Sequence, residues 1–381
     1  MALTSLTWSE ANGRRLRRHG LTAPLAVGGP AAAAAAMCGA HAQVLSAAEV
    51  SIALRLSGGT REDVRRALEE ERTLVKTFGP RGTVHLLPAA DLALWCGALG
   101  AVPVTARQPA GARLTAERTE RLVEAIGAVL SHAELTVDEL TEALADRLGA
   151  WAVDPVVPAF RTMWPRWRQA TEIAARRGVL CFGPDKGRKV TYTHPARLLP
   201  GFSPAPSSEA VAWLLRRYLH AYGPATPDHF ARWLATAPAW SRDRFDGGDL
   251  TEVSFEGARA WVGRGDTEAG DPARGILLLP RFDAFAVGSR PRELLYPGRA
   301  RDRALSRGQA GNRPVVLIDG TVAGVWHQKK TAGTLAVTVE PFAPLTARRR
   351  GELDEQVRRL GAVLGVRPTL TVGAIAVGAH A

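Results

Sequence analysis

The order of apolar and polar positions repeats one pattern three times, in which two or more helices are followed by a short β-hairpin. In the first copy the pattern predicts helices near 8–19, 30–39, 46–56 and 61–71. Thr60 is the expected N-cap of the last helix. Two β-rich runs follow within 73–87, joined by the turn Gly79-Pro80-Arg81-Gly82, and Pro88 is expected to start the next helix.

The second and third copies keep this order. The second predicts helices at 114–130, 136–148 and about 158–176, then a hairpin formed by 178–184 and 188–194. Thr136 and Glu139 have the spacing of a capping box, and the Pro- and Ser-rich run 200–208 is a linker. The third predicts helices at 209–223, from Thr226 and around 241–245, with strands near 251–255 and 259–263.

Helices closed by a two-stranded hairpin are typical of a winged helix, which presents a helix to the DNA major groove. We therefore expect an α+β chain with three tandem winged-helix domains, at 1–100, 101–200 and 201–265. A separate, mostly β domain at 266–381 follows. Its strand-rich runs are 275–288 and 313–342, with turns at Asp319-Gly320 and Ala332-Gly333, and a helix at 348–365 and a short strand close it. Generic α+β domains are the alternative.

Composition adds a basic balance. The 381 residues include 49 Lys plus Arg against 37 Asp plus Glu, a net charge of +12. This fits a nucleic-acid partner or an anionic surface; a GC-rich genome that replaces Lys with Arg is the other explanation. Three separated cysteines fit a reducing cytoplasm. No segment approaches a transmembrane span, so we expect no membrane partner and a cytoplasmic, nucleoid-associated protein.

Familiar catalytic motifs are absent from the sequence. It has no GxGxxG after a strand, no GxxxxGK[ST] loop, no HExxH and no GxSxG. His85, His229 and His327 are isolated. We therefore expect neither a nucleotide cofactor nor a metal, and an enzyme of this kind would work with water and hydrogen bonds.

The stretch CGAHAQVLSAAEV, residues 38–50, has several interpretations. Arg14-Arg15, the apolar run after it and Ala40-His41-Ala42 resemble an export signal cleaved after Ala42. Against this, Gly28-Gly29-Pro30 interrupts the apolar run, and 8–20 is predicted to be a complete helix ending at Gly20. Two other interpretations remain. His41 and Gln43 form a polar turn between two helices, or they are part of an active site.

Several segments together resemble a known family. They are WSEANGRRL near the N-terminus, the stretch ending HAQ, RGTVHLLPAADLALW (81–95), YGPATPDHFARW (222–233), LLPRFDAFAVGSRPRE (278–293) and VLIDGTVAGVWH (316–327). The likeness, which covers nearly the whole chain, is to the winged-helix DNA glycosylases of bacteria (AlkZ/YcaQ-like), and it is closer to the AlkZ-like branch.

The resemblance implies a monomeric, monofunctional hydrolase that binds duplex DNA in a basic channel. Such an enzyme removes N7- or N3-alkylated purines, including bulky natural-product adducts and interstrand cross-links, in base excision repair and genotoxin self-resistance. It needs no metal or cofactor. Catalysis in the family uses a Gln–apolar–Gln motif, which falls here on His41-Ala42-Gln43, so His41 replaces the first Gln.

The chemistry tolerates this replacement. An alkylated purine is already a cationic leaving group, so the enzyme has to hold a water near C1′ of the sugar. A neutral imidazole can accept a water proton through one nitrogen and donate through the other. With an ordinary pKa of roughly 6.5, His41 predicts that base release slows at acidic pH more steeply than in a His41→Gln variant.

Other positions are candidates for DNA contact. Lys76 and Arg81 belong to the first wing, where cations meet phosphate. Asp283 lies in PRFDAF, where it orients water or DNA, or caps a turn. The remaining candidates are a loop pair and a hairpin arm: Arg290, Arg292, Trp326, His327, Gln328, Lys329 and Lys330. A non-catalytic tandem winged-helix regulator is the main rival function.

Overall fold

The structure is a computed structural model that describes residues 3–104, 113–159, 162–331 and 333–376. Within these ranges, helices alternate with small sheets, and a larger sheet lies towards the C-terminus. The predicted α+β class is therefore confirmed. The number of winged-helix domains and their boundaries stay predictions.

The first sheet has the strand order β2-β4-β3. Its strands are β2 (Ala40–His41), β3 (Leu74–Phe78) and β4 (Val84–Pro88). The helices around it are α2 (Gly29–Ala36), α3 (Leu45–Ala53) and α4 (Arg61–Glu69), the last with Thr60 in a capping box. The hairpin predicted within 73–87 is confirmed by the β3–β4 pairing. Pro88 ends β4, and α5 (Leu92–Gly100) begins only after a 3₁₀ turn.

The second sheet repeats this arrangement in the order β5-β9-β8. Its strands are β5 (Leu135–Thr136), β8 (Cys181–Phe182) and β9 (Thr191–Thr193). Its helices are α6 (Ala116–Leu130), α7 (Val137–Leu148), α8 (Thr171–Arg176) and α9 (Pro195–Leu198). The capping box of Thr136 and Glu139 forms at the start of α7, as predicted.

The helix predicted over 158–176 is wrong for its first half. Strands β6 (Pro155–Pro158) and β7 (Met163–Pro165) form a small antiparallel pair, and a 3₁₀ turn precedes α8. Residues 160–161 lie outside the described ranges. Pro165 explains the difference, because it lies inside the predicted helix, has no amide hydrogen to donate and keeps the residue before it out of the helical conformation.

The third sheet contains β10 (Leu250–Phe255) and β11 (Ala258–Gly263), and its helices are α10 (Ser207–Tyr222), α11 (Pro227–Leu234) and α12 (Pro238–Asp246). Strand β1 (Ser5–Leu6) joins β10 in parallel, and α1 (Trp8–Arg18) follows it. The N-terminal residues, which the sequence grouped with the first copy, therefore complete the third sheet.

The C-terminal sheet runs β12-β13-β14-β15-β16. Its elements are β12 (Ile276–Leu279), β13 (Val315–Ile318), β14 (Thr321–Thr331), β15 (Thr334–Pro341), α16 (Ala347–Leu364) and β16 (Arg367–Val372). The turn Asp319-Gly320 joins β13 to β14, with φ of 48° and 83° as a two-residue hairpin turn requires. Ala332 of the second predicted turn lies outside the described residues, and Thr331 pairs with Thr334 on either side of it.

The run 275–288 is less strand-rich than predicted. Only β12 is a strand, and the chain then forms α13 (Ala284–Gly288), α14 (Arg292–Leu295) and α15 (Arg299–Ala304) before β13. Asp283 accepts a hydrogen bond from the amide of Phe285 and so caps α13. This stretch of loops and short helices leads from the C-terminal sheet towards the first sheet.

Two contacts bring the separate parts of the chain together. One apolar core contains Val50 of α3 and Leu86 of β4 together with Val316, Trp326 and Leu360 of the C-terminal part. The first sheet therefore packs on the C-terminal sheet through a continuous buried layer.

The second contact is α1. Arg15 is fully buried, and its guanidinium donates to the carbonyl oxygens of Gly223, Pro224 and Arg290 at 3.2, 2.9 and 2.6 Å. Burial lowers its pKa to about 9. Helix α1 thus joins the third sheet's helices to the loop after α13.

These positions bear on the export interpretation. Arg14 and Arg15 of the twin arginine are buried, and Ala42 beside β2 is buried as well. A cut after Ala42 would separate β2 and α1 from the cores that contain them. None of the described helices is long and apolar enough to cross a membrane.

Candidate active site

His41 and Gln43 lie where β2 gives way to α3. After α2 the chain turns through Cys38 and Gly39, at φ 54° and 92°, and pairs with the wing strand β4. A Cβ atom added to Gly39 would lie 2.9 Å from the side chain of Leu87, so this tight turn needs glycine. The polar pair is thus fixed to the first hairpin, with α3 beginning two residues after Gln43.

The two side chains have different surroundings. Gln43 is exposed, whereas His41 is only 8% exposed. The ring of His41 lies edge-on to His85, with centroids 5.2 Å apart, and tilted against Phe282 at 4.9 Å. Its Nδ1 is enclosed and has no hydrogen-bond partner among the described residues. Nε2 is therefore the nitrogen that can meet a bound molecule.

The imidazole of His41 is neutral. Burial in the first place, and the nearby positive charge of Arg81 in the second, lower its pKa to about 3. The pKa of His85 is also lowered, by burial and then by His41 and Arg81. The pair of rings therefore carries no charge at neutral pH.

His41 and Gln43 line a cavity of about 360 Å³, which we call the His41 cavity. Its described lining includes Arg81, Arg232, Arg290 and Arg292 and no carboxylate. Four guanidinium groups at one cavity favour an anionic ligand, and phosphodiesters suit them because arginine donates to two oxygens at once.

Arg81, in the turn of the first wing, and Arg232, on helix α11, come from distant parts of the chain that meet here. Arg81 lies in the first wing at φ 64° and donates to the carbonyl oxygen of Trp233 in α11, at 2.9 Å. Burial lowers its pKa to about 10, so it is still a cation at neutral pH. This contact places the wing beside α11, and exposed Arg232 joins the cavity.

The loop after α13 provides the other two arginines. Arg292 donates to the carbonyl oxygens of Ala286 and Val287, both at 3.0 Å, and burial lowers its pKa to about 10. Arg290 lies beside it, and its carbonyl oxygen accepts from Arg15. The structure thus brings Arg81, Arg290 and Arg292 of the predicted DNA contacts together with His41 and Gln43.

Asp283 does not face this cavity. It is fully buried in a bidentate ion pair with Arg55, in the turn after α3, at 2.8 and 2.9 Å, and accepts from Ser51 of α3 at 2.7 Å. Burial would raise its pKa, but Arg55 and Ser51 outweigh burial and leave it lowered. A direct DNA contact at Asp283 is therefore not supported, and of its expected roles the cap is the one observed.

Phe282, next to Asp283, forms part of the cavity wall. Its backbone has φ 57°, a conformation that costs a bulky residue about 1–2 kcal/mol. Its amide donates to the carbonyl oxygen of Gly311 at 2.8 Å. An added Cβ on Gly311 would lie 2.8 Å from the Phe282 ring. The Asp283–Arg55 pair and Gly311 together hold Phe282 against His41.

The hairpin arm contributes a different surface. Gln328, Lys329 and Lys330 are exposed on β14, and His327 is partly exposed. Trp326 is only 3% exposed and its indole donates to the carbonyl oxygen of Leu279 at 2.8 Å, so it is a core residue and is not available for direct DNA contact. Because β13 pairs with β14 only as far as Val325, the arm beyond it has one open edge.

Lys76 also lies away from the His41 cavity. Its ammonium group stacks on the ring of Phe182 in β8, 4.7 Å from the centroid. It therefore connects the first and second sheets, and its charge faces the groove between them.

Comparisons with known proteins identify the family of this chain. A profile of the DNA glycosylase AlkZ-like family matches residues 34–363. This chain is a member of the AlkZ-like DNA glycosylase family. Like other glycosylases of this family, it is therefore a hydrolase that acts on DNA, and the resemblance seen in its sequence is confirmed.

A sequence match and a solved structure, both from Streptomyces sahachiroi, show how far the likeness extends. The chain is 35% identical over 306 residues to an interstrand DNA cross-link repair glycosylase, covering 76% of this chain and 80% of the relative. Its fold matches the solved structure of DNA glycosylase AlkZ with a TM-score of 0.83 at 29% identity, over 97% of this chain and 100% of that one.

Sequence reasoning missed Arg232 and Phe282 as cavity residues. The sequence of α11 predicts a helix, but it does not show that Arg232 on this helix will lie beside the first wing. PRFDAF drew attention to Asp283, while its neighbour Phe282 is the residue that touches His41. Among the described residues, no group of three His, Cys, Asp or Glu could hold a metal ion.

Proposed function

We propose that this AlkZ-like glycosylase releases N7- and N3-alkylated purines from duplex DNA by means of His41 and Gln43. The observation that carries the proposal is that neutral His41 and exposed Gln43 line one cavity with four arginines and no described carboxylate. The name of the S. sahachiroi relative supports extending the substrates to interstrand cross-links and bulky adducts. The same proposal includes the protein's biological role. It acts as a monomer in the cytoplasm, in base excision repair, and confers self-resistance to a genotoxin.

The chemistry needs little from the protein. An alkylated purine leaves as a neutral base, and the sugar develops positive charge as the bond breaks. Nε2 of His41 and the amide oxygen of Gln43 hold a water that bonds to C1′ as the C1′–N9 bond breaks, and the proton that this water loses passes to solvent. The arginines bind the flanking phosphates. A charged imidazole would oppose the developing cation, so the burial that keeps His41 neutral supports the reaction.

The test measures base release from a duplex with a single N7-methylguanine, read as free base and as alkali-labile sites. We expect His41→Ala and Gln43→Ala to slow release by about 10²-fold, the cost of misplacing a reacting group by about 1 Å. His132→Ala and Gln356→Ala, which change the same residue types outside the cavity, are the matched controls and should be unaffected.

Two results would contradict the proposal. If release continues in both cavity variants, His41 and Gln43 do not handle the water. If the unaltered protein binds DNA tightly without releasing any alkylated base, replacement of the family's first Gln by His41 has left a non-catalytic DNA-binding protein.

A further inference from the structure

A second cavity lies directly behind the wall of the His41 cavity. Gln43 and Phe282 face the His41 cavity, and the residues next to them in sequence, Val44 and Arg281, face the second one. Consecutive Cα atoms are about 3.8 Å apart, so only the thickness of two chain segments separates the two spaces. We call the second space the α3 cavity, because the first turn of α3 forms one side of it.

The α3 cavity has an apolar floor and a cationic rim. Val50, Val325, Trp326 and Ile375, each at most 8% exposed, form the floor. Arg281 and Arg313 lie at the rim. The volume is about 220 Å³, and an apolar cavity of about 150 Å³ in another protein holds benzene. A group of one or two rings fits this space.

The floor is an unfavourable environment for an unmodified base. A base has polar edges that lose their hydrogen bonds to water when buried, at a large cost unless the protein replaces them. Nε1 of Trp326 in the floor already donates to Leu279, and the other uncharged polar side chains that line the cavity, Ser46, His327 and Gln328, are at least partly exposed and lie nearer its opening. An apolar group attached to an anionic backbone satisfies both the floor and the rim.

We propose that the α3 cavity receives the bulky apolar part of a purine's alkyl substituent, while Arg281 and Arg313 bind the phosphodiester beside it. This rests on the proposed function, because it assumes that the glycosidic bond is placed at His41 and Gln43. The α3 cavity then determines which substituent sizes are released quickly, and Ala47 and Ser46, which line it from α3, are specificity-determining residues.

The experiment compares duplexes with one N7-methylguanine or one N7-(naphthylmethyl)guanine. Ala47→Leu fills the cavity from a helical position that tolerates leucine. Ser46→Tyr, at an exposed site, covers the opening without disturbing the core. In both variants we expect release of the naphthylmethyl adduct to slow by about tenfold or more, which is the effect of a mismatch of one methylene group in an apolar pocket. Release of the methyl adduct should change little. Ala116→Leu, exposed on α6, is the matched control.

The outcomes separate this inference from the proposed function. Equal slowing of both adducts would mean that the cavity holds the DNA itself, and no slowing of either would mean that it is not used; each overturns the inference. If the unaltered protein releases neither adduct, the proposed function fails, and the inference is judged by binding. It then predicts that Ala47→Leu loses the preference for the naphthylmethyl duplex over undamaged duplex, and an unchanged preference overturns it.

Discussion

At the scale of single residues, the surroundings of His41 matter more than its type. A histidine with an ordinary pKa would become charged as the solution is acidified. Here the rings of His85 and Phe282 take the place of water, Arg81 adds a positive charge, and the pKa falls to about 3. The acid loss of activity predicted from the sequence therefore needs revision.

We expect the pH profile of base release to be the same in shape for the unaltered protein and for His41→Gln between about pH 5 and 8, because neither side chain titrates in that range. The measurement is single-turnover release at several pH values on one duplex. An acid limb present only in the unaltered protein would show that His41 titrates during the reaction.

Removing Phe282 should restore titration. Phe282→Ala opens one face of the imidazole to water, which raises the pKa of His41 towards its ordinary value. We expect this variant to lose activity as the pH falls below about 6.5. The double variant Phe282→Ala, His41→Gln is the control, and an acid limb that persists in it would trace the effect to another group.

At the scale of elements, a fully buried ion pair joins the turn after α3 to the turn before α13. Two nitrogens of the Arg55 guanidinium donate to the two carboxylate oxygens of Asp283, and both side chains are 0% exposed. Breaking such a pair leaves one buried charge without its partner. We expect Asp283→Asn to lower the free energy of unfolding by about 3–5 kcal/mol, measured by urea denaturation.

The matched control is Asp249→Asn, which breaks the exposed pair with Arg264. An exposed ion pair contributes about 1 kcal/mol or less, so this variant should be nearly as stable as the unaltered protein. Equal losses in the two variants would contradict the role given to the buried pair.

The arm of β14 beyond Val325 is the second element with a testable role. Exposed Lys329 and Lys330 lie on its open edge. If both bind phosphate, Lys329→Gln, Lys330→Gln should weaken binding to all duplexes and reduce the slope of log affinity against log salt by about 2. Arg358→Gln on α16 removes an exposed cation elsewhere, and a similar loss there would show an effect of net charge alone.

At the scale of the whole molecule, buried neutral histidines couple folding to pH. Burial lowers the pKa of His19 to about 3, and those of His41 and His85 are lowered as well. In the unfolded chain these groups bind protons below about pH 6.5, while in the folded protein they do so only at much lower pH. The unfolded state therefore gains protons first, and stability falls as pH drops from about 6.5 towards 3.

We expect the free energy of unfolding to fall by roughly 1 kcal/mol per histidine for each pH unit in that window. Urea denaturation at pH 7.5, 6 and 5 measures the slope. His41→Gln removes one of these groups and should flatten it, whereas His132→Ala, at an exposed position, should not. Stability independent of pH between 7.5 and 5 would contradict the buried, neutral state of these rings.

Much of the fold followed from local patterns. Thr60, Thr136 and Thr226 cap the helices that their positions predicted, and Asp319-Gly320 forms its hairpin turn. The prediction was wrong where prolines broke a helical periodicity near 155–165 and where an apolar run after β12 became α13. A run of apolar residues has the same composition in a buried strand and in a buried helix.

The sequence by itself determined the helices, the hairpins, the family and the motif at His41 and Gln43, because each depends on neighbouring residues or on a linear order of segments. Only the tertiary structure decided that Arg81, Arg232 and Arg290 surround that motif while Asp283 and Trp326 lie in the core. It also decided the charge of His41, since a pKa depends on the solvent and charges that folding places around the ring. These contacts join residues far apart in the chain, and packing between elements determines them.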